Sequence, residues 1–552
     1  MVKRAKEMTI IKQDVSKKEV WALDSEDDQK GNLIVAVFYN GKDYFIFKNQ
    51  YDIINFLLDL GEKKKQLYIA CVNLEYDLIN CFKGFYNYLE FKYSNHLIFA
   101  RLKNTKIYFF DTLNHYKLSV KNQGKIIGKE KLKVDFKRLK DKFEETVAYC
   151  KRDTEITYEF VNFYQDVLNK LGADLKFTIA SSSLNLYRRK FLRFTVKKID
   201  DEILEEMSNA YYGGRTEIFT MKAEGDIYGY DVNSLYPSVM QKTYPNPNSI
   251  FTNKKSIDEE GVSYVSVKIK KHYIPYLPYR FENKLIFPYS DNLSGWWTNY
   301  ELRFALENKL IELNKIYKSI NFSMLCSPFN EYVNFLYDLR KKYKNKEDVE
   351  SKFYSITLKL LMNSLYGKFA EKVEDTAVLT DEGEIIEIKI EDEYYPVHTN
   401  YIWSIYTTAY GRTRLWLGLN EVLSQGGQLL YCDTDSIYYK GKKGLLKEGK
   451  ELGEWSFQGK FKRAEFLLPK TYLLEDDKGG IDIVAKGVPE DKQYEFFHKG
   501  MTEILRPIKF RESFRRKDDI RANVWIKQYK VLRSQYTKRK ILKGGETEPL
   551  KI

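Results

Sequence analysis

"LLYCDTDSIYYK", residues 429–440, sets two β-prone runs around four polar residues. Leu429, Leu430 and Tyr431 on one side, and Ile437, Tyr438 and Tyr439 on the other, favour strands, while Asp-Thr-Asp-Ser between them suits a tight turn. The spacing predicts a hairpin with Asp433 and Asp435 at its tip. Two carboxylates so close repel each other and lose hydration, so their presence calls for a positive partner. Asp and Ser are also ordinary turn formers, and a lone Asp-x-Asp carries little weight. It becomes a site only if acids from elsewhere in the chain converge on it.

Two further stretches supply candidates. In "DIYGYDVNSLYPSVM", residues 226–240, Asp231 ends a β-prone run and is followed by a turn and a helix-like segment with Pro237 in its first turn. Such a strand end can offer a carboxylate beside exposed backbone N–H groups. Tyr236 follows five residues on, a rigid ring suited to walling a pocket. "SKFYSITLKLLMNSLYGKFA", residues 351–370, reads as a helix ending at Gly367. On it Lys352, Lys359, Asn363 and Tyr366 form one stripe, with Ile356, Leu360 and Leu361 assigned to an anchoring face. A stripe of two lysines, an amide and an aromatic suits a triphosphate and a base pair, though an amphipathic helix with a solvated face has the same look.

Taken in order, "DVNSLYPS", "KLLMNSLYG" and "YCDTDS" resemble the three polymerase motifs of family B DNA polymerases. "YYGGR", residues 211–215, resembles the segment that links exonuclease to polymerase and touches template, with Tyr211, Gly213 and Gly214 as its DNA-contacting residues. "KTY" resembles the motif that grips the primer terminus, through Lys470 and Tyr472. About 110 residues separate the first motif from the Lys-bearing helix, and about 60 separate that helix from the hairpin. These intervals resemble those of protein-primed members, which carry two insertions there, one contacting a terminal protein and one supporting processivity and strand displacement. The second interval departs from that pattern. Residues 374–393 hold 9 acids against one Lys and read as a hairpin turning at Asp381-Glu382-Gly383, a charge that DNA would repel if it faced it.

The N-terminal third offers four more carboxylates. "VWALDSEDD" reads as a strand bearing Asp24 and Glu26, whose i, i+2 spacing puts them on one face. "LYIACVNLEYDLIN" gives a buried strand followed by Asn73 and Asp77. "EETVAYCKRDTEIT" reads as a helix with Tyr149 and Asp153 at i, i+4. In that order, ahead of a polymerase, they resemble the three exonuclease motifs of proofreading DNA polymerases. The resemblance implies Asp24, Glu26, Asp77 and Asp153 as metal ligands, Tyr149 assisting, and Asn73 near single-stranded DNA. Ser25 stands where a bulky apolar residue is common, and Asp27 adds a charge expected to weaken single-strand binding.

The resemblance implies a mixed α/β chain: an RNase H-like exonuclease over 1–172 followed by a right-hand polymerase. The hand would comprise palm segments at 173–242 and 403–502, an insertion at 243–334, fingers at 335–372, a second insertion at 373–402 and a basic thumb at 503–552. It also implies two Mg²⁺ per active site, with Mn²⁺ as an alternative, held at Asp231 and Asp435 with Asp433 secondary. Lys359 would bind triphosphate, Tyr236 would exclude a 2′-hydroxyl, and Asn363 with Tyr366 would line the nascent pair. The implied partners are template and primer DNA, deoxynucleoside triphosphates and a terminal protein, with the chain a monomer. A self-priming polymerase, or a silent DNA-binding factor with a polymerase fold, are the alternatives.

Bulk properties agree with this reading. A chain of 552 residues exceeds one core and should divide into domains, and 43% hydrophobic content gives ample core material. Net charge is +14, and residues 501–552, with 15 Lys and Arg against 6 Asp and Glu, carry +9 of it, interleaved with aromatics as suits a polyanion. Cys71, Cys81, Cys150, Cys326 and Cys432 show no Cys-x-x-Cys spacing, so neither a disulfide scaffold nor structural zinc is expected. The absence of a long apolar run predicts no membrane association and a place in the cytoplasm of an infected or host bacterial cell.

Overall fold

The computed structural model describes residues 6–28, 31–93, 96–136, 138–373, 376–382, 385–390, 394–507, 525–532 and 535–552. Two large sheets organise them. The first runs, in spatial order, Ile385–Ile390, Thr376–Glu382, Leu89–Tyr93, Leu97–Leu102, Ile107–Asp111, Leu67–Cys71, Val20–Asp27, Leu33–Tyr39 and Tyr44–Phe47. Val20–Asp27 pairs antiparallel with Leu33–Tyr39 and parallel with Leu67–Cys71, which pairs parallel with Ile107–Asp111. Leu67–Cys71, parallel to both its neighbours, is buried almost throughout, as its unbroken apolar run requires. The helix Phe143–Leu171 packs over this sheet and ends at Gly172, whose φ of 94° supplies a left-handed C-cap.

The second sheet runs Thr216–Ile218, Gln428–Asp433, Ser436–Lys440, Lys222–Val232, Trp455–Leu468, Thr471–Asp476 and Ile481–Ala485. Strands distant in sequence meet at its centre. The hairpin read at 429–440 is there: Gln428–Asp433 and Ser436–Lys440 pair antiparallel, and Thr434 takes φ +60° at the tip. Behind the sheet lies the helix Ile402–Ser424, buried almost along its whole length.

A smaller sheet, Ile250–Phe251, Ile311–Phe322, Glu260–Ile269 and Ser290–Thr298, stands with the helix Asn299–Glu307. The helices Asn330–Lys344 and Val349–Lys368 follow as an antiparallel pair. Val349–Lys368 is capped by the Asp348 carboxylate on the Ser351 N–H and extends through Lys368, one residue beyond the Gly367 stop read from sequence. Ile356 is not part of an anchoring face: it is 51% exposed. It lies four residues after Lys352 and three before Lys359, so helical geometry puts it in their stripe. The buried face is Phe353, Tyr354, Thr357, Leu358, Leu361, Met362 and Leu365, with Leu360 half-buried at its margin.

The acidic stretch does form a hairpin, Thr376–Glu382 with Ile385–Ile390, and Thr376–Glu382 adds to the edge of the first sheet at Leu89–Tyr93. Gly383, read at its turn, lies outside the described residues. The basic C-terminal stretch gives a hairpin, Met501–Pro507 with Trp525–Val531, and much of its charge falls on residues 508–524, also outside the described set. Farther on, the chain returns to the second sheet: Arg539, 1% exposed, lies with Glu217 at its edge. All five cysteines are unpaired, and no helix among the described residues is long and apolar enough to cross a membrane.

Candidate active sites

Sheet register assembles the first cluster. Asp231 pairs with Ser436, and Ser436 pairs with Asp433, so these three residues stand in line across adjacent strands on one face. Asp435 sits in the turn above them, its backbone carbonyl accepting from the Val232 N–H at 2.8 Å. Burial pushes the Asp231 carboxyl up to about 7, helped by the charge of Asp435 and opposed by Lys359. Burial and the charge of Asp433 likewise raise Asp435. Two half-buried carboxyls, one raised by the charge of the other and both by burial, have the chemistry of a cation site.

Asp433 is held differently. Its Oδ2 accepts from Lys470 Nζ at 2.6 Å and from the Tyr431 hydroxyl at 3.3 Å, and its Oδ1 accepts from Thr216 at 3.1 Å. The protein itself meets its charge, which fits a secondary role. Lys470, at φ +59°, also donates its backbone N–H to the Tyr431 hydroxyl at 2.9 Å. Tyr472 packs beside Tyr431, ring centroids 5.5 Å apart. The "KTY" segment is thus tied directly to the acidic hairpin.

Tyr236 and Tyr366 meet with ring centroids 4.7 Å apart. Lys359 is exposed and its charge reaches Asp231 and Asp435, while Asn363 Nδ2 donates to the Lys359 carbonyl at 2.9 Å. Lys352 is farther along the stripe and pairs with Glu347 at 2.7 Å. Gly214 lies against the hairpin tip: a Cβ there would fall 2.8 Å from the Thr434 hydroxyl, so only glycine allows the approach. Gly213 is exposed and Tyr211 half-buried.

One residue behind this loop was not read from sequence. Arg412, on the buried helix, donates to the carbonyls of Tyr212 at 2.6 Å and Gly213 at 3.1 Å, and pairs with Glu301 at 2.8 Å. Both partners of that pair are almost fully buried. Arg412→Met leaves Glu301 buried and unpaired, and we expect it to cost about 3–5 kcal/mol, read as a lower denaturant midpoint.

The second cluster lies on the other sheet. Asp24 and Glu26 come from Val20–Asp27, Asp77 from the helix Leu74–Phe82, and Tyr149 with Asp153 from Phe143–Leu171. Burial and the charge of Asp153 raise Asp24 to about 8, and burial also raises Glu26, Asp77 and Asp153. Lys131, again unread from sequence, forms an ion pair with Asp153, and its ammonium stands 4.6 Å from the centre of the Tyr149 ring. Ser25 has a structural task, donating to Asp77 Oδ1 at 2.8 Å. Asp27 is 2% exposed, so its charge is not offered to a passing strand as the sequence suggested. Asn73 is exposed at φ +71°, and its N–H and that of Leu74 donate to Asp111 at 3.2 and 3.1 Å.

The donor set suits hard divalent cations. Asp24 Oδ2, Asp77 Oδ2 and Asp153 Oδ1 are buried and accept no hydrogen bond, an arrangement costly unless a cation satisfies them. Among the described residues no three such side chains are already closed into a metal cage. With divalent ions removed, raised folded-state pKa values mean that the folded chain binds more protons than the unfolded one. The stability these groups contribute is present below about pH 4 and is lost as pH rises through 7–8. In EDTA the melting temperature should therefore fall from pH 5 to pH 8, Asp24→Asn should flatten the slope, and excess Mg²⁺ or Mn²⁺ at pH 8 should raise it.

A cleft of about 970 Å³ lies between the first sheet and the end of the helix Val349–Lys368, with Lys92, Lys176, Arg188, Lys368 and Lys372 among its lining.

Residues 43–417 match a family described as DNA polymerase type B, organellar and viral. The chain belongs to that family. Among curated relatives, a probable DNA polymerase of Podospora anserina is 27% identical over 414 residues, 62% of this chain and 33% of that protein. The DNA polymerase of Bacillus phage Nf is 28% identical over 365 residues, 60% of each. The matches thus span from a third to about three fifths of these relatives. Among solved structures, phi29 DNA polymerase complexed with primer-template DNA and incoming nucleotide has a TM-score of 0.74 at 18% identity, covering 94% of this chain and all of that one. That likeness shows that the chain shares the mixed α/β fold of that structure over nearly its whole length.

Proposed function

We propose that this chain is a template-directed DNA polymerase with 3′–5′ proofreading activity, primed by a terminal protein. The single observation that carries the polymerase reading is the Asp231–Asp435 pair, brought together by sheet register under the field of Lys359. Divalent ions, Mg²⁺ or Mn²⁺, fit this pair, with Asp433 contributing secondarily, and when bound would lower the pKa of the attacking hydroxyl and neutralise the triphosphate. Lys359 takes the incoming phosphates and Tyr236 walls the sugar against a 2′-hydroxyl. Asn363 and Tyr366 line the nascent pair. Lys470 and Tyr472 hold the primer end, while Tyr211, Gly213 and Gly214 hold the template. The cleft lined by Lys92, Lys176, Arg188, Lys368 and Lys372 supports a path for single-stranded template.

The exonuclease reading rests on the orphaned oxygens of Asp24, Asp77 and Asp153, with Glu26 beside them. Tyr149 orients the attacking water and Asn73 meets the single strand. The division is the one given above: exonuclease 1–172, palm 173–242 and 403–502, insertions 243–334 and 373–402, fingers 335–372 and thumb 503–552. The chain would act as a monomer in the cytoplasm of the host cell. Single-nucleotide incorporation tests the template dependence: opposite a template dA only dTTP should extend the primer. Transfer of labelled nucleotide to a purified terminal protein of the same genetic element tests the priming, and no transfer would remove that part.

A further inference from the structure

Tyr236 leans on a residue without a side chain. A Cβ built on Gly411 would stand 3.1 Å from Cε1 and 3.5 Å from Cδ1 of the Tyr236 ring. Gly411 lies inside the helix Ile402–Ser424, where glycine costs about 1 kcal/mol relative to alanine. Among the described residues it is not one of the glycines at positive φ, so no turn explains it. The ring does.

If a methyl group were added, the helix is poorly placed to yield. The next residue, Arg412, is fixed by Glu301 and by the Tyr212 and Gly213 carbonyls. On either side, the Tyr410 hydroxyl donates to the Thr243 carbonyl and the Trp416 indole to the Ile274 carbonyl, both at 2.8 Å. Tyr236 is only half-buried and has Tyr366 on its other side. The displacement therefore falls on the Tyr236 ring.

We propose that Gly411 is a positioning residue that seats the Tyr236 ring and through it sets selection of the nucleotide sugar. This rests on the polymerase reading of the Asp231–Asp435 site. Gly411 touches no substrate; its influence runs through residue 236, which makes the two positions interdependent.

The test uses the full chain in four forms: wild type, Gly411→Ala, Tyr236→Ala and the double variant. Incorporation of a deoxynucleotide and of its matching ribonucleotide is measured on one primer-template. Gly411→Ala should raise the deoxynucleotide KM about 5- to 10-fold with kcat within about twofold, and shift the deoxy-to-ribo ratio of kcat/KM by about fivefold or more. Single-strand shortening should stay at the wild-type rate. In the Tyr236→Ala background the same substitution should change KM and the ratio by less than about twofold, because the ring is gone. A wild-type ratio for Gly411→Ala, or an equal shift in both backgrounds, overturns the proposal. Should Gly411→Ala alone fail to fold, removal of the ring must rescue it, and failure to rescue also overturns it. A wild type that folds and incorporates nothing defeats the polymerase reading itself, and this inference with it.

Discussion

Asp435→Ala should abolish primer extension while the same preparation still shortens a single strand from its 3′ end. The loss should be at least about 10³-fold, since removal of a ligand from a charge-stabilising metal pair forfeits several kcal/mol and each 1.36 kcal/mol is tenfold. Asp231→Ala should behave alike, because burial raises both carboxyls and the charge of Asp435 adds to the cost of ionising Asp231. Asp433→Ala should be milder. Its carboxylate already accepts from Lys470, Tyr431 and Thr216, so its removal chiefly frees the lysine of the "KTY" segment. Extension rates on a 5′-labelled primer rank the three variants. Equal losses at all three positions would contradict the secondary role given to Asp433.

The second large effect is its mirror image. Asp24→Ala should reduce 3′ shortening by at least about 10³-fold and leave extension of a paired primer near the wild-type rate. Asp77→Ala should do the same. In EDTA both variants should also melt at a higher temperature than the wild type, because each removes a buried carboxylate oxygen that accepts no hydrogen bond. The two signs together separate a metal-binding carboxylate from a structural one. Loss of a structural carboxylate would lower the melting temperature.

Much of both clusters was legible in the sequence because it is local. The "YCDTDS" hairpin declares itself by β-prone flanks and a turn, and Tyr149 with Asp153 by helical spacing. Asp231 is legible as a strand end followed by a turn and a short helix. What stayed hidden is what spans the chain. Arg412 reaches Glu301 across 111 residues, Arg539 reaches Glu217 across 322, and Lys131 meets Asp153 from an irregular segment. No periodicity marks such partners. Ile356 was misplaced for another reason. Its helix packs against Asn330–Lys344 on one side and Ile179–Lys190 on another, so apolar residues surround much of the axis and the outward stripe contains one as well. Asp27 was read by composition alone, whereas tertiary burial decides where its charge points.

The central claim is that one chain carries two opposed reactions on two carboxylate clusters. It is tested most directly by incubating the wild-type protein with Mg²⁺ and a 5′-labelled primer annealed to a longer template, with and without deoxynucleotides. The account predicts lengthening to the template end when nucleotides are present and 3′ shortening when they are absent. Shortening under both conditions, or no change under either, would contradict it.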